Sequence, residues 1–250
     1  MPASVRADSY LVCGTPRTGS TLLCGLLAAT SVAGKPESYF RLPDERSYAE
    51  RWGAQVGADG TLDYGGYVRA AMAAGSTANG VFGARVMWGT MGEVTGKLRT
   101  AYGHPLGPDV EVLEQALGQT RFVHLQRGDV VAQAVSWARA EQSSYWQDGD
   151  EVPSDWRPRF DYDDVDGYVK AVNEHNAAWH EWFDASGIVP LRVLYEEMVA
   201  DMAGATNAIL QFLGLDLPPG HVITAGTRRQ ADDINDEWAR RYRSLRLFGP

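Results

Sequence analysis

The stretch from Tyr10 to Leu23 constrains the fold more than any other part of the chain. An apolar run, Tyr10 to Cys13, is followed by Gly14, four residues and Gly19; Ser20 and Thr21 then open a helical pattern of leucines. Strand, glycine-bounded turn and helix form the outline of a phosphate-binding P-loop, in which the free amides of a helix N-terminus point at an anion. The lysine that ordinarily follows the second glycine is replaced by Ser20, and the only cation in the loop is Arg17. Backbone amides of residues 17–21, the hydroxyls of Thr18, Ser20 and Thr21, and the charge of Arg17 together make a cradle for a phosphate. Taken alone, the same pattern also fits a glycine turn followed by good capping residues. Its place after the first strand of an alternating chain favours the cradle.

That alternation runs through the sequence. Leu22, Leu23, Leu26 and Leu27 recur at helical spacing. Residues Gly34 to Phe40 read as extended because Pro36 biases its predecessor away from helix. Helices are expected from Asp44 to Gln55, with Asp44 as cap, and from Leu62 to Ala74. A strand is expected from Val81 to Trp88, then two helical pieces between 91 and 118, then a strand from Arg121 to Arg127. A helix begins near Asp129, with Val131, Ala134, Val135 and Ala138 on one face. Residues 148–163 read as a surface loop. Val165, Val169, Val172, Trp179 and Phe183 mark a long amphipathic helix. A fourth strand, Ile188 to Leu194, is followed by Tyr195 to Met198, which lead into a helix that runs to Phe212 and is stopped by Gly214, and a last helix covers Asn235 to Leu245.

Strands alternating with helices predict an α/β fold with three layers, α/β/α, around a mostly parallel central sheet. The 250 residues suit one domain spanning 1–250, with no repeat, low-complexity tract or linker. Ligands of such sheets bind beyond the carboxyl ends of the strands. Arg17, Glu37, Arg127 and Tyr195 each follow a strand or extended segment, so they are expected along one edge.

A formal net charge of −9 argues against non-specific binding to nucleic acid or to an anionic membrane. An anionic ligand must then be met by local arginines. Cys13 and Cys24 read as buried thiols, a usage that fits a reducing compartment. With no leader-like start and no run of about 18 apolar residues, a cytoplasmic location without a transmembrane segment is expected. No metal is expected. His175 and His180 lack a carboxylate at metalloprotease spacing. Asp161 to Asp166 begins like a calcium loop but lacks an oxygen ligand at the fifth position and glycine at the sixth, which leaves an ordinary helix start. Trp179 and Trp182 are expected in the core or at an interface.

Two further sites carry chemistry. Arg127 ends a strand and Ser136 lies in the following helix on the same side, a pairing suited to a terminal phosphate because arginine binds two oxygens at once. The bland reading is a salt bridge to Asp129 and a solvated serine. Tyr195, just past a strand end, can stack on or hydrogen-bond to an adenine, or be a core aromatic with a wet hydroxyl. Arg228 and Arg229 are placed to reach phosphates or to lie on a solvated face.

In this order and spacing the pieces resemble the sulfotransferases that use 3′-phosphoadenosine 5′-phosphosulfate (PAPS), and more closely the bacterial trehalose 2-sulfotransferase family. The resemblance rests on Arg17 to Leu23; Gly34, Pro36, Tyr39 and Phe40; Phe82 to Trp88; Arg127 to Ser136; Arg229 to Asp232; Asp236 to Trp238; and Arg241 to Arg243. It implies a P-loop nucleoside-triphosphate-hydrolase-like sulfotransferase fold that needs no metal. It implies that the loop (Arg17, Thr18, Gly19, Ser20 and Thr21) holds the 5′-phosphosulfate, with Arg17 facing the bridging and sulfuryl oxygens. Arg127 and Ser136 would hold the 3′-phosphate, Tyr195 would lie near the adenine, and Arg229 would reach the nucleotide. The acceptor implied is a hydroxyl of a sugar, glycolipid or other small molecule, met by Ser38 and Arg85; Arg85 stands where the family carries Lys or Arg, which suggests a contact to the acceptor or to the sulfuryl group, or else a structural ion pair. Family members also dimerise, which leaves room for a homodimer here.

The sequence departs from the family at the base. The family places Glu directly before its two aromatics, and that position is Ser38 here, with Glu37 one residue earlier. In an extended segment one residue turns a side chain to the opposite face. Either Glu37 serves as base through a local difference in backbone, or another group does and Glu37 is structural. A P-loop kinase-like phosphotransferase and a nucleotide-binding protein without catalysis remain the rival readings.

Overall fold

The computed structural model describes residues 6–55, 61–103, 107–144, 146, 157–220 and 233–248. Four strands, β1 (Ser9–Gly14), β2 (Phe82–Met87), β3 (Thr120–Gln126) and β4 (Leu191–Leu194), form one sheet in the order β2-β1-β3-β4. All pairings are parallel, with Val12 opposite Arg85 on one side and Val123 on the other. The expected three-layer α/β fold is therefore present.

The two faces of β1 show how the layers are built. Leu11 and Cys13 face one apolar cluster, with Phe82, Ala84, Phe122, Trp179 and Phe183. Tyr10 and Val12 face another, with Leu23, Leu27, Leu125, Met198 and Leu210. Alternate residues of a strand point to opposite faces, so a run apolar at every position belongs to a central strand covered on both sides. The first cluster is closed by α3 (Tyr64–Gly75), α4 (Trp88–Tyr102), α5 (Asp109–Leu117) and α7 (Tyr162–Ala185); the second by α1 (Ser20–Ala29) and α9 (Met202–Leu213). A third cluster joins α6 (Val130–Ser143) to α7 and α10 (Asp233–Phe248) through Ala134, Val135, Val165, Trp238 and Tyr242.

Local chemistry moves several boundaries. The second helix, α2, runs Leu42–Trp52 and starts before Asp44, because Pro43 suits the first turn and Arg41 is the cap. Asp44 instead accepts two bonds from Arg41, Nε at 2.6 Å and Nη2 at 2.9 Å. Where Tyr195 to Met198 are expected to lead into a single helix running to Phe212, there are two helices, α8 (Tyr195–Ala200) and α9. Asp201 breaks it by turning its carboxylate onto the amide of Gly204, and a capping carboxylate outcompetes continuation. The fourth strand begins at Leu191, after Pro190, rather than at Ile188. Most of the expected loop at 148–163 lies outside the described residues; Asp161 caps α7 by accepting from the amides of Asp163 and Asp164.

His124 of β3 is fully buried, and its ring lies 5.2 Å from those of His180 and Phe183. Burial, with smaller contributions from His180 and Arg192, pushes its pKa from 6.5 down to about 4. The folded imidazole therefore stays neutral while the unfolded one takes up a proton below about pH 6.5. Stability is complete above that pH and falls as the pH drops through the window from 6.5 to 4. Between pH 7 and pH 5, His124→Leu is expected to lose roughly 2 kcal/mol less than the unmodified protein in denaturant unfolding. Equal losses in the two proteins would refute this account.

Candidate functional site

The phosphate-binding turn joins β1 to α1 and is held from behind. Trp179 donates its indole N–H to the carbonyl of Gly14 at 2.8 Å, and the Gln133 amide donates to the carbonyl of Pro16 at 2.7 Å. Thr15 donates its hydroxyl to Asn176 Oδ1 at 3.1 Å. Helices α6 and α7 thus occupy the Gly14 and Pro16 carbonyls of the loop. The first turn of α1 carries no acidic residue, so the partial positive charge of its N-terminus is left for a ligand. Two residues take positive φ, Arg17 at 66° and Gly19 at 86°. At Gly19 a side chain is excluded twice over: a Cβ would also stand 2.4 Å from Cδ2 of Tyr195.

Three arginines from three strand ends surround this turn. Arg17 donates from Nε to Ser136 Oγ at 3.0 Å and from Nη1 to the carbonyl of Trp146 at 2.8 Å, so its side chain leans toward α6. Arg85, on β2, donates from Nε to Ser38 Oγ at 2.8 Å and from Nη1 to Thr21 Oγ1 at 2.9 Å and Ser20 Oγ at 3.4 Å. Arg127 follows β3; its guanidinium lies 4.8 Å over the Tyr195 ring, and Nη1 reaches the carbonyl of Arg17 at 3.5 Å. Its Nε is buried without a hydrogen-bond partner. Among the described residues neither Arg85 nor Arg127 pairs with a carboxylate. The partner that the bland reading would give Arg127, Asp129, is occupied elsewhere: it caps α6 through the Ala132 amide and pairs with Arg243 of α10 at 2.6 Å. Those contacts, with Arg127 nearby, hold the Asp129 carboxyl below its ordinary range against the opposing effect of burial, the largest single influence on it.

The turn opens into a cleft of about 1250 Å³. Arg17, Gly19, Ser20, Thr21, Glu37, Ser38, Arg85, Arg127, Ser136 and Tyr195 all line it. Thr18 does not: it is buried, with its hydroxyl unpartnered beneath the loop, 3.3 Å from where a Cβ at Gly14 would lie. Arg229 lies outside the described residues.

Glu37 and Ser38 face the same cleft, although alternation in an extended segment would part them. The segment pairs with β2 for a single bridge, Glu37 to Ala84, with the Arg85 amide donating to the Glu37 carbonyl at 2.9 Å. It then turns at once, the Arg41 amide donating to the Ser38 carbonyl at 3.1 Å. A strand one bridge long imposes no alternation on the residue after it. The Glu37 carboxylate accepts a hydrogen bond from Tyr48 of α2 at 2.8 Å. Burial, then this bond to Glu37, pushes the Tyr48 phenol up, so it stays a donor at neutral pH.

Tyr48 was not among the residues singled out from sequence, and its only signal is its place on a helix directly after Glu37. His175, weighed there only as a metal ligand, also lines the cleft; its Nδ1 is buried without a partner, and burial lowers its pKa. Cys24 lines the cleft too, but burial raises its thiol to about 11, against a smaller lowering by Arg85. It is therefore a poor nucleophile at neutral pH.

A sequence model of the Stf0 sulphotransferase family matches residues 9–245. The chain is 29% identical over 261 residues to the trehalose 2-sulfotransferase of Mycobacterium tuberculosis (strain Erdman), covering 94% of each protein. It is 27% identical over 258 residues to the trehalose 2-sulfotransferase of Mycolicibacterium smegmatis, again covering 94% of each. Among solved structures it aligns with the sulfotransferase domain from the Synechococcus PCC 7002 olefin synthase, at 16% identity and a TM-score of 0.46, over 97% of this chain and 90% of that one. A match across nearly the whole chain, on a parallel sheet whose P-loop has exchanged its lysine for arginines, places this protein in the Stf0 sulphotransferase family.

Proposed function

We propose that the protein transfers a sulfuryl group from PAPS to a hydroxyl of a sugar or other small molecule. The observation that carries this is the cation arrangement. Three arginines, Arg17, Arg85 and Arg127, surround an uncompensated helix N-terminus, and two of them have no carboxylate partner among the described residues. Such a site suits a ligand with phosphate or sulfate at two separated points. The buried, unpartnered Nε of Arg127 supports a second anionic group on that side.

The roles follow from position. The amides of α1 and the hydroxyls of Ser20 and Thr21 hold the 5′-phosphosulfate. Arg17, bonded to Ser136, stands between the loop and α6, where it meets either the bridging oxygen or the 3′-phosphate side. Arg85 reaches Thr21 with one nitrogen and Ser38 with another, so it spans the donor end of the cleft and the acceptor end. There it neutralises charge on the sulfuryl oxygens as the group moves. Glu37 accepts the proton of the attacking hydroxyl. The new bond forms between the acceptor oxygen and sulfur while the sulfur–oxygen bond to the 5′-phosphate breaks, and adenosine 3′,5′-bisphosphate leaves. Tyr48 orients the Glu37 carboxylate through its 2.8 Å hydrogen bond. The trehalose named for the two mycobacterial relatives makes a disaccharide the first acceptor to test.

Titration calorimetry tests the donor. Adenosine 3′,5′-bisphosphate should bind and ATP with Mg²⁺ should not; the reverse would return the site to a kinase-like phosphotransferase. A screen of hydroxylated metabolites with labelled PAPS tests the reaction, and bisphosphate binding without turnover on any acceptor would leave a nucleotide-binding protein. Glu37→Gln should cut turnover by about a hundredfold or more while leaving bisphosphate affinity within about twofold. Full turnover in that variant would remove Glu37 as the base. Gly19→Ala, which drives a Cβ into the Tyr195 ring at a positive φ, should lower bisphosphate affinity by about tenfold or more.

A further inference from the structure

Tyr195 stands where an adenine contact is expected, but its surroundings give it other work. One face of its ring is covered by the Arg127 guanidinium at 4.8 Å. Its Cδ2–Cε2 edge lies so close to Gly19 that a Cβ there would approach to 2.4 and 2.6 Å. The ring also packs against the apolar cluster that contains Leu23, Leu125 and Met198. The ring is therefore a spacer wedged between the phosphate-binding turn and Arg127.

The next residue completes the device. Glu196 accepts from the amides of Gly128 at 3.0 Å and Asp129 at 3.2 Å, so the first two residues of α8 hold the turn after β3 from two directions. Within that clamp the Arg127 guanidinium has one long contact, to the Arg17 carbonyl, and a buried Nε without a partner. A cation over an aromatic face is held in place without any of its N–H donors being consumed. An ion pair with a carboxylate would fix it as firmly but would cancel the charge and occupy the fork. The stack fixes the guanidinium and leaves its donors for an anion.

We propose that Tyr195 is a positioning residue for Arg127: its ring sets the distance between the turn that holds the 5′-phosphate and the guanidinium that selects for a 3′-phosphate. This rests on the reading of the donor as a 3′,5′-bisphosphorylated nucleotide. It makes the ring essential and the hydroxyl dispensable.

The test compares two ligands on the full chain by calorimetry, adenosine 3′,5′-bisphosphate and adenosine 5′-phosphate. The unmodified protein should prefer the bisphosphate; no preference would overturn the donor reading and this inference with it. Tyr195→Phe should keep both affinities within about twofold. Tyr195→Leu should weaken the bisphosphate by roughly tenfold and the monophosphate by less than about twofold, so that the ratio collapses. Equal losses for the two ligands would make the ring an adenine contact and sink the proposal while leaving the donor reading intact. An unchanged ratio would sink it as well. If Tyr195→Leu fails to fold by thermal melting, Tyr195→Met, which fills similar space with a flexible chain, carries the same comparison.

Discussion

The site depends on how the carbonyls of the turn between β1 and α1 are disposed of. A phosphate cradle needs several amides to converge, and a turn that tight crowds its carbonyls toward the same space. Here Trp179 and Gln133, from two helices packed behind the loop, take the Gly14 and Pro16 carbonyls. The buried indole of Trp179 is thus both core and loop support: it stacks on Phe183, and its N–H ends on the loop. A tryptophan buried in that way satisfies its one donor and fixes a backbone group in a single contact.

With the backbone placed, charge becomes a matter of strand register. Arg85 sits opposite Val12 in the pairing of β2 with β1, two residues short of the point where β1 ends and the turn begins. Arg127 comes directly after β3, on the other side of β1. Parallel strands bring their carboxyl ends to one edge, so arginines distant in sequence meet there without any loop having to reach. An acidic chain, net −9, thereby gathers positive charge at one place. Three arginines meet at one edge, and one acid close to Arg127 in sequence, Asp129, is drawn away by Arg243 and by its own capping bond.

Much of this was legible in the sequence because its causes are local. The glycines of the turn, the apolar run of β1 and the helical spacing of α1 and α7 each follow from a few neighbouring residues, and so did the sheet. What escaped were contacts decided by competition between distant groups. Asp44 looked like a cap, but Pro43 moved the helix start and Arg41 captured the carboxylate. The helical spacing runs straight across Asp201, although a carboxylate that can reach an amide three residues on is a reason to stop a helix. Arg127 and Asp129, two apart in sequence, suggested an ion pair, and only the placement of α10 shows where Asp129 goes. The opposed faces expected for Glu37 and Ser38 assumed a strand longer than one bridge.

The missing P-loop lysine is best understood through the same geometry. A lysine at the start of α1 is a mobile point charge that follows a terminal phosphate on a flexible stem. Arg85 approaches the same helix start from a strand, bonded to Thr21 on one side and Ser38 on the other. A planar guanidinium held at two points loses less freedom when it meets a ligand, and it faces a fixed direction. That arrangement gives up the reach needed to follow a third phosphate and gains a fixed charge between the start of α1 and Ser38. For a group that moves a short distance from one oxygen to another within a single cleft, a cation that stays still stabilises the transferring charge better than one that must reorganise to follow it.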